Sequence, residues 1–249
     1  MAAHVDALRT HAPNVSPDGD PEELHKARVA VRRLRALLRA ARPLIEYERA
    51  EPLRAALAEL GRALAPARDA DVLLAHLREE AASLDEPEAP RLLERLETER
   101  LQAHAAARAA LDDASFGRLL RELDAFCTDV PIRTGSLDGV VKREATKLRR
   151  AMRRATTDEE LHAARIRAKR VRYAAEAAGA EAIVERAKRF QDVVGEHQDA
   201  VVAEARLREL ADAQTAIVAG RLIERQAERR RRALVATPKA WKRLAKALR

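Results

Sequence analysis

Leu24-His25-Lys26-Ala27-Arg28-Val29-Ala30-Val31-Arg32-Arg33-Leu34-Arg35 aligns without a gap with Leu161-His162-Ala163-Ala164-Arg165-Ile166-Arg167-Ala168-Lys169-Arg170-Val171-Arg172. The offset is 137 residues at every position, so the fold is read from a repeat rather than from isolated elements. Each copy follows a helix-start signal. Asp20-Pro21-Glu22-Glu23 and Thr157-Asp158-Glu159-Glu160 both place a capping residue three positions before a Glu, and Pro21 stands at the first helical position. His25 and His162 therefore occupy equivalent first-turn positions.

At about 100° per residue, His25, Arg28, Arg32, Arg35 and Arg39 fall within an arc of roughly 80° on the first motif helix. Ala27, Ala30, Val31, Leu34, Leu37, Leu38 and Ala41 form an apolar stripe opposite them, so one face packs while the other presents cations. The second copy groups His162, Arg165, Lys169 and Arg172 in front of Ala164, Ala168, Val171 and Ala175, with Tyr173 and Glu176 flanking the arc. Like charges at this spacing repel by about 0.2–0.5 kcal/mol per neighbouring pair. A purely solvated face interleaves Glu with Arg, and the first copy does not. A multivalent anion supplies the missing charge, and a planar guanidinium suits bidentate bonds to phosphate oxygens. The arc residues are read as surface charges whose removal leaves the fold intact.

Around the repeat, the chain of 249 residues is 47% hydrophobic with only 8 glycines, and its Ala, Leu, Arg and Glu favour helix nearly everywhere. The Pro-, Gly- and Ser-bearing segment from Val130 to Gly139 separates two halves, 1–133 and 137–249, of one domain spanning 1–249. A second echo, at offset 130, pairs Arg68-Asp69-Ala70-Asp71-Val72 with Gln198-Asp199-Ala200-Val201-Val202. The expected architecture is all-α, with two pseudo-symmetric antiparallel helical bundles, four-helix-bundle-like, produced by internal duplication. Helices are predicted near 3–10, 21–42, 51–64, 68–84, 88–112 and 115–129, and again near 138–155, 158–178, 180–194, 198–213, 215–235 and 238–248.

The net charge of +8 is unevenly placed. Arg225 to Arg249 holds ten basic residues and one acid, leaving the rest of the chain near neutrality. Lys26 to Arg42 holds seven basic residues and no acid, a local anion-binding surface in a neutral body. A third basic helix carries Lys142, Arg149 and Arg153 on one stripe and is expected to add secondary contacts. The run Arg229-Arg230-Arg231-Arg232 points all round its helix and offers at most a further electrostatic contact.

The single cysteine, Cys127, excludes an internal disulfide and a cysteine-based zinc site. No metal site or cofactor is expected. Met1 to Thr10 carries His4, Asp6 and Arg9 in place of a leader's apolar core, and no long uncharged apolar run occurs, so a cytoplasmic protein without membrane contact is expected.

The motif residues resemble the CHAD family, the conserved histidine α-helical domains, whose repeated signature is His-x-x-Arg-x-x-x-(Arg/Lys)-Arg-x-Arg. His25, Arg28, Arg32, Arg33 and Arg35 fit it, as do His162, Arg165, Lys169, Arg170 and Arg172. The resemblance implies binding of inorganic polyphosphate by those residues without catalysis, association with triphosphate-tunnel (CYTH) enzymes, and placement at polyphosphate granules with their proteins. Ala36 stands where the second copy has Tyr173, and Gln198 where the first has Arg68, so the halves are not identical. Two other classes compete. A phosphate-processing enzyme would use His25 or His162 as acceptor or base, with Asp69, Asp71 or Asp199 nearby, but no glycine-rich phosphate loop or helical His-Glu-x-x-His is present. A nucleic-acid binder would gain phosphate contacts, yet only six aromatics are available for stacking, so weak non-specific binding is expected.

Overall fold

The computed structural model describes residues 1–84, 86–129 and 137–249, and every described regular element is helical. The elements are α1 (Ala2–His11), a short 3-10 turn (Ala12–Asn14), α2 (Pro21–Ala40), α3 (Tyr47–Ala82), α4 (Ala89–Asp112), α5 (Ala114–Thr128), α6 (Asp138–Arg154), α7 (Asp158–Ala177), α8 (Glu181–Leu210) and α9 (Ala216–Ala247). Most of the segment read as the break between the two halves, 130–136, lies outside the described residues.

The chain divides into two compact units, Met1–Ser83 with Leu93–Gly135, and Leu84–Leu92 with Ser136–Arg249. The sequence reading kept all of 1–133 in the first half, whereas Leu84–Leu92 groups with the second unit. In the first unit, Leu24, Val31, Leu34 and Leu38 of α2 pack with Leu57 and Leu64 of α3, Leu8 of α1, and Leu123 and Phe126 of α5. These α2 positions are the apolar stripe of the repeat. In the second unit, Leu161, Ala168 and Val171 of α7 join Leu148 of α6, Phe190 and Val194 of α8, and Leu244 of α9. The Phe190 ring lies 5.9 Å from Trp241.

The helix starts follow the caps. Asp20 accepts from the Glu22 N–H at 2.9 Å, and Thr157 closes a full capping box with Glu160. Only half of the expected box forms at α2, because Glu23 turns to His11 and Asn14, each at 3.0 Å. Three predicted breaks do not occur. The chain stays helical through Pro66 in α3, Gly195 in α8 and Pro238 in α9.

A mid-helix Pro costs about 3 kcal/mol and a Gly about 1 kcal/mol, but each of these helices has buried residues on both sides of the position, and packing carries the helix through it. Leu57, Leu60, Leu64, Ala67, Leu74 and Leu77 run unbroken past Pro66. Near it, the Arg28 guanidinium donates to the carbonyls of Leu64 (3.4 Å) and Ala65 (2.6 Å). At the third break the Thr237 hydroxyl donates to the Ala233 carbonyl at 2.8 Å.

Candidate functional site

The first unit's cationic face is built by α2 and α3 together. As the α2 number rises from Arg28 to Arg35, the α3 partner falls from Ala65 to Gly61, so the two helices run antiparallel. Their basic residues consequently share one seam. Burial, with Arg68, Arg32 and Arg28 close by, pushes the His25 imidazole below its ordinary pKa, against the pull of Glu22. Arg35 is likewise crowded by desolvation and by Arg54, Arg62 and Arg39, and its Nε is buried without a hydrogen-bond partner.

Arg28 is half-buried, bonds the α3 carbonyls and meets Asp69 at 3.1 Å. It is therefore a structural clamp as well as a cation, which corrects its reading as a removable surface charge. Arg54 pairs with Glu51 and Arg62 with Glu59, each within its own helix. Arg32, Arg35, Arg39 and Arg68 have no carboxylate partner among the described residues. Arg33 lies apart. It faces α1, where it lowers the pKa of His4 after burial has done most of the work.

The α7 face keeps the same register. Arg165, 137 positions after Arg28, lies over Gly195, 130 positions after Ala65, with its Nη2 3.2 Å from where a Cβ would stand. A Cβ there would press on the guanidinium, which lies where a side chain would begin. The Nε of Arg165 and Nδ1 of His162 are buried without hydrogen-bond partners. Desolvation of its carboxyl, with Glu196 nearby, pushes Asp199 upward in pKa against the pull of Arg165, Arg229 and Lys169, although the residue as a whole keeps an exposed surface.

This second face is better compensated than the first. Arg172 stacks on Tyr173 (4.8 Å to the ring centroid) and meets Glu176 at 3.4 Å, while Lys169 and Arg170 also have partners. From α9, Arg230 reaches Asp158, and Asp158 in turn meets the buried His197 at 3.1 Å. Burial holds the His197 imidazole below its ordinary pKa.

The secondary basic positions are dispersed. Lys142 and Arg153 are exposed on α6, whereas Arg149 donates to the Leu248 carbonyl at the end of α9. The arginine run is compensated residue by residue, Arg229 by Glu196, Arg230 by Asp158, and Arg231 and Arg232 by Glu228. The sequence reading missed Arg54 and Arg62 as neighbours of the α2 arc. Their i, i+3 glutamates disguised them as an ordinary solvated face, and only the antiparallel seam reveals their position. Among the described residues, no cluster of His, Cys, Asp and Glu could hold a metal ion, and no helix is long and apolar enough to cross a membrane.

A family model described as CHAD domain matches residues 1–208. Two curated relatives, Uncharacterized protein MT2285 and Uncharacterized protein Rv2226, both of Mycobacterium tuberculosis (strains CDC 1551 / Oshkosh and ATCC 25618 / H37Rv), are each 33% identical over 208 residues. That match covers 75% of this chain but 40% of the relatives' length, so the chain spans less than half of the proteins it resembles. Among solved structures, the CHAD domain from the plant Ricinus communis superposes with a TM-score of 0.70 at 25% identity, covering 99% of this chain and 88% of that one. PptA from Streptomyces chartreusis shares the fold, with a TM-score of 0.78 at 22% identity over 97% of this chain and 98% of its own. With the repeated His/Arg helices in a two-unit all-α fold and a family match over most of its length, the chain belongs to the CHAD domain family.

Proposed function

We propose that the chain binds inorganic polyphosphate, without catalysis, along the α2–α3 and α7–α8 seams. The observation that carries this reading is the first seam. There Arg32, Arg35, Arg39 and Arg68 stand beside His25 without carboxylate partners among the described residues, and burial together with these cationic neighbours depresses the imidazole. Such a surface repels itself until a polyanion arrives, and a chain carrying a charge on each phosphate meets several guanidinium groups at once. Membership of a family linked to polyphosphate binding in general points the same way. The α7 face, with His162, Arg165, Lys169, Arg170 and Arg172, forms the weaker half, because Glu176 and Asp199 already neutralise part of it. On this reading the histidines contact phosphate and do not react with it. Association with triphosphate-tunnel enzymes or polyphosphate-granule proteins, and a cytoplasmic location at granules, belong to the same proposal.

The test is an electrophoretic titration of the pure chain with polyphosphate, duplex DNA and single-stranded RNA at matched phosphate concentration. Polyphosphate is expected to bind well below the concentrations that shift either nucleic acid, and no orthophosphate is released. Equal affinity for all three would reassign the seams to general electrostatic binding. Steady orthophosphate release would make the chain an enzyme.

A further inference from the structure

In the second unit, α8 and α9 form a cleft lined by none of the residues of the polyphosphate seams. Arg186 and Arg189 of α8 and Lys239 and Arg243 of α9 surround it, and its floor is Val193, Ala236 and Ala240. At about 100° per residue, Arg186, Arg189 and Val193 point roughly opposite to Gly195 and Asp199, which face α7. The cleft is therefore separate from the motif surface.

Two features separate it from an ordinary solvated basic face. First, of its four cations only Arg189 has a carboxylate partner, Glu185 at 2.5 Å along the same helix. Arg186, Lys239 and Arg243 have none among the described residues. Second, the cations do not surround water-facing polar groups. Their floor is almost wholly aliphatic, set between helices whose packed core includes Phe190 and Leu244.

We infer that this cleft binds a phosphate monoester carrying an apolar body, the phosphate held by the guanidinium groups and the body laid on the Val193–Ala236–Ala240 floor. The floor decides the class. A bare inorganic chain is hydrated on every side and gains nothing from aliphatic contact, whereas an aryl or acyl substituent gains burial there. Three arginines and a lysine line the cleft from two helices, and each planar guanidinium offers the two-donor fork that suits phosphate oxygens. The inference does not depend on the polyphosphate reading, since it uses none of that site's residues.

The experiment is a phosphorus NMR titration of the full chain with phenyl phosphate and, separately, orthophosphate. Phenyl phosphate is expected to bind at least about fivefold more tightly, the effect of burying one small apolar group. Arg186→Gln with Arg243→Gln is expected to weaken phenyl phosphate on the order of tenfold or more, through loss of charge-assisted bonds, while polyphosphate binding and the melting temperature stay unchanged. Val193→Asp, which places a carboxylate in the floor, is expected to abolish phenyl phosphate binding. Flotation with phosphatidic acid vesicles, against phosphatidylcholine vesicles, separates the two sources of this chemistry. Binding that phenyl phosphate competes away assigns a lipid headgroup, and absence of flotation with the soluble ligand still bound assigns a free organic phosphate. No preference for phenyl phosphate over orthophosphate, or wild-type binding by the folded double variant, would overturn the inference.

Discussion

Replacing Gly195 by Ala should stabilise the chain and at the same time weaken its binding of polyphosphate. Gly195 lies in the interior of α8, where a Gly costs roughly 0.5–1 kcal/mol relative to Ala, and it is not a positive-φ position, so Ala adopts its backbone without strain. The new Cβ would stand 3.2 Å from Nη2 of Arg165, 3.6 Å from its Nε and 3.7 Å from its Cζ. Only the first distance is tight, and it involves the end of a flexible side chain, so the guanidinium yields by a few tenths of an ångström. Most of the helix-propensity gain survives, raising the melting temperature by about 2–3 °C in a chain of this size. Arg165, however, no longer presents its forked donors in the native position. Loss of one such bond, about 1 kcal/mol, weakens polyphosphate by roughly fivefold.

Gly61→Ala is the matched control, because its Cβ would meet Val31 at 3.4 Å and Arg35 at 3.5 Å, both ordinary contacts. It should stabilise the chain to a similar degree and leave affinity unchanged. Thermal denaturation and calorimetric titration of both variants read the two effects separately. A Gly195→Ala protein that binds like wild type would remove Arg165 from the site. A loss of more than about 1 kcal/mol would show that its guanidinium cannot move and belongs to the core.

The two arginines of the first motif should separate in stability though not in binding. Arg28→Ala, which strips donors from the Leu64 and Ala65 carbonyls, is expected to cost about 1–3 kcal/mol by denaturant titration, and the exposed Arg32→Ala less than about 0.5 kcal/mol, while both weaken polyphosphate. Because the α2–α3 seam is the less compensated, Arg32→Ala with Arg68→Ala should lower affinity and flatten the log-affinity against log-salt slope more than Arg165→Ala with Lys169→Ala; by analogy with nucleic acids each lost phosphate contact reduces that slope by roughly 0.7–0.9. The reverse order would refute the asymmetry. Burial and then the neighbouring cations depress His25, and a bound polyanion offsets the cationic part, so binding takes up a proton and affinity strengthens as pH falls from about 8 to 6; His25→Gln should flatten that profile, measured at constant ionic strength. His197 is held below its ordinary value in the folded state, so the unfolded chain takes the proton first. Stability is then unaffected above the ordinary histidine pKa and declines as pH falls below about 6.5, a decline that His197→Asn should reduce in urea melts at pH 7 and pH 5.

What the sequence determined by itself follows from local chemistry and periodicity. Asp20 and Thr157 start α2 and α7 where their side chains accept orphan N–H groups, and most of the apolar stripe of both motifs is buried because 3.6 residues per turn leave one face to pack, although Ile166 is exposed. The cationic arc from His25 to Arg39 was legible for the same reason. Tertiary structure decided the rest. Pro66, Gly195 and Pro238 read as ends because propensity is local, yet buried stripes on both sides carry the helices through them. Arg33 and Arg32 are neighbours in the motif, but 100° of helix sends one toward His4 and leaves the other on the open face. Arg54, Arg62 and Arg68 join that face, and Glu176 and Asp199 neutralise part of the other, because antiparallel packing sets which distant residues share a seam. A charge pattern along one helix carries no information about the charges its neighbour brings, since Coulomb interactions act through space and the packing register is fixed by the apolar face on the other side.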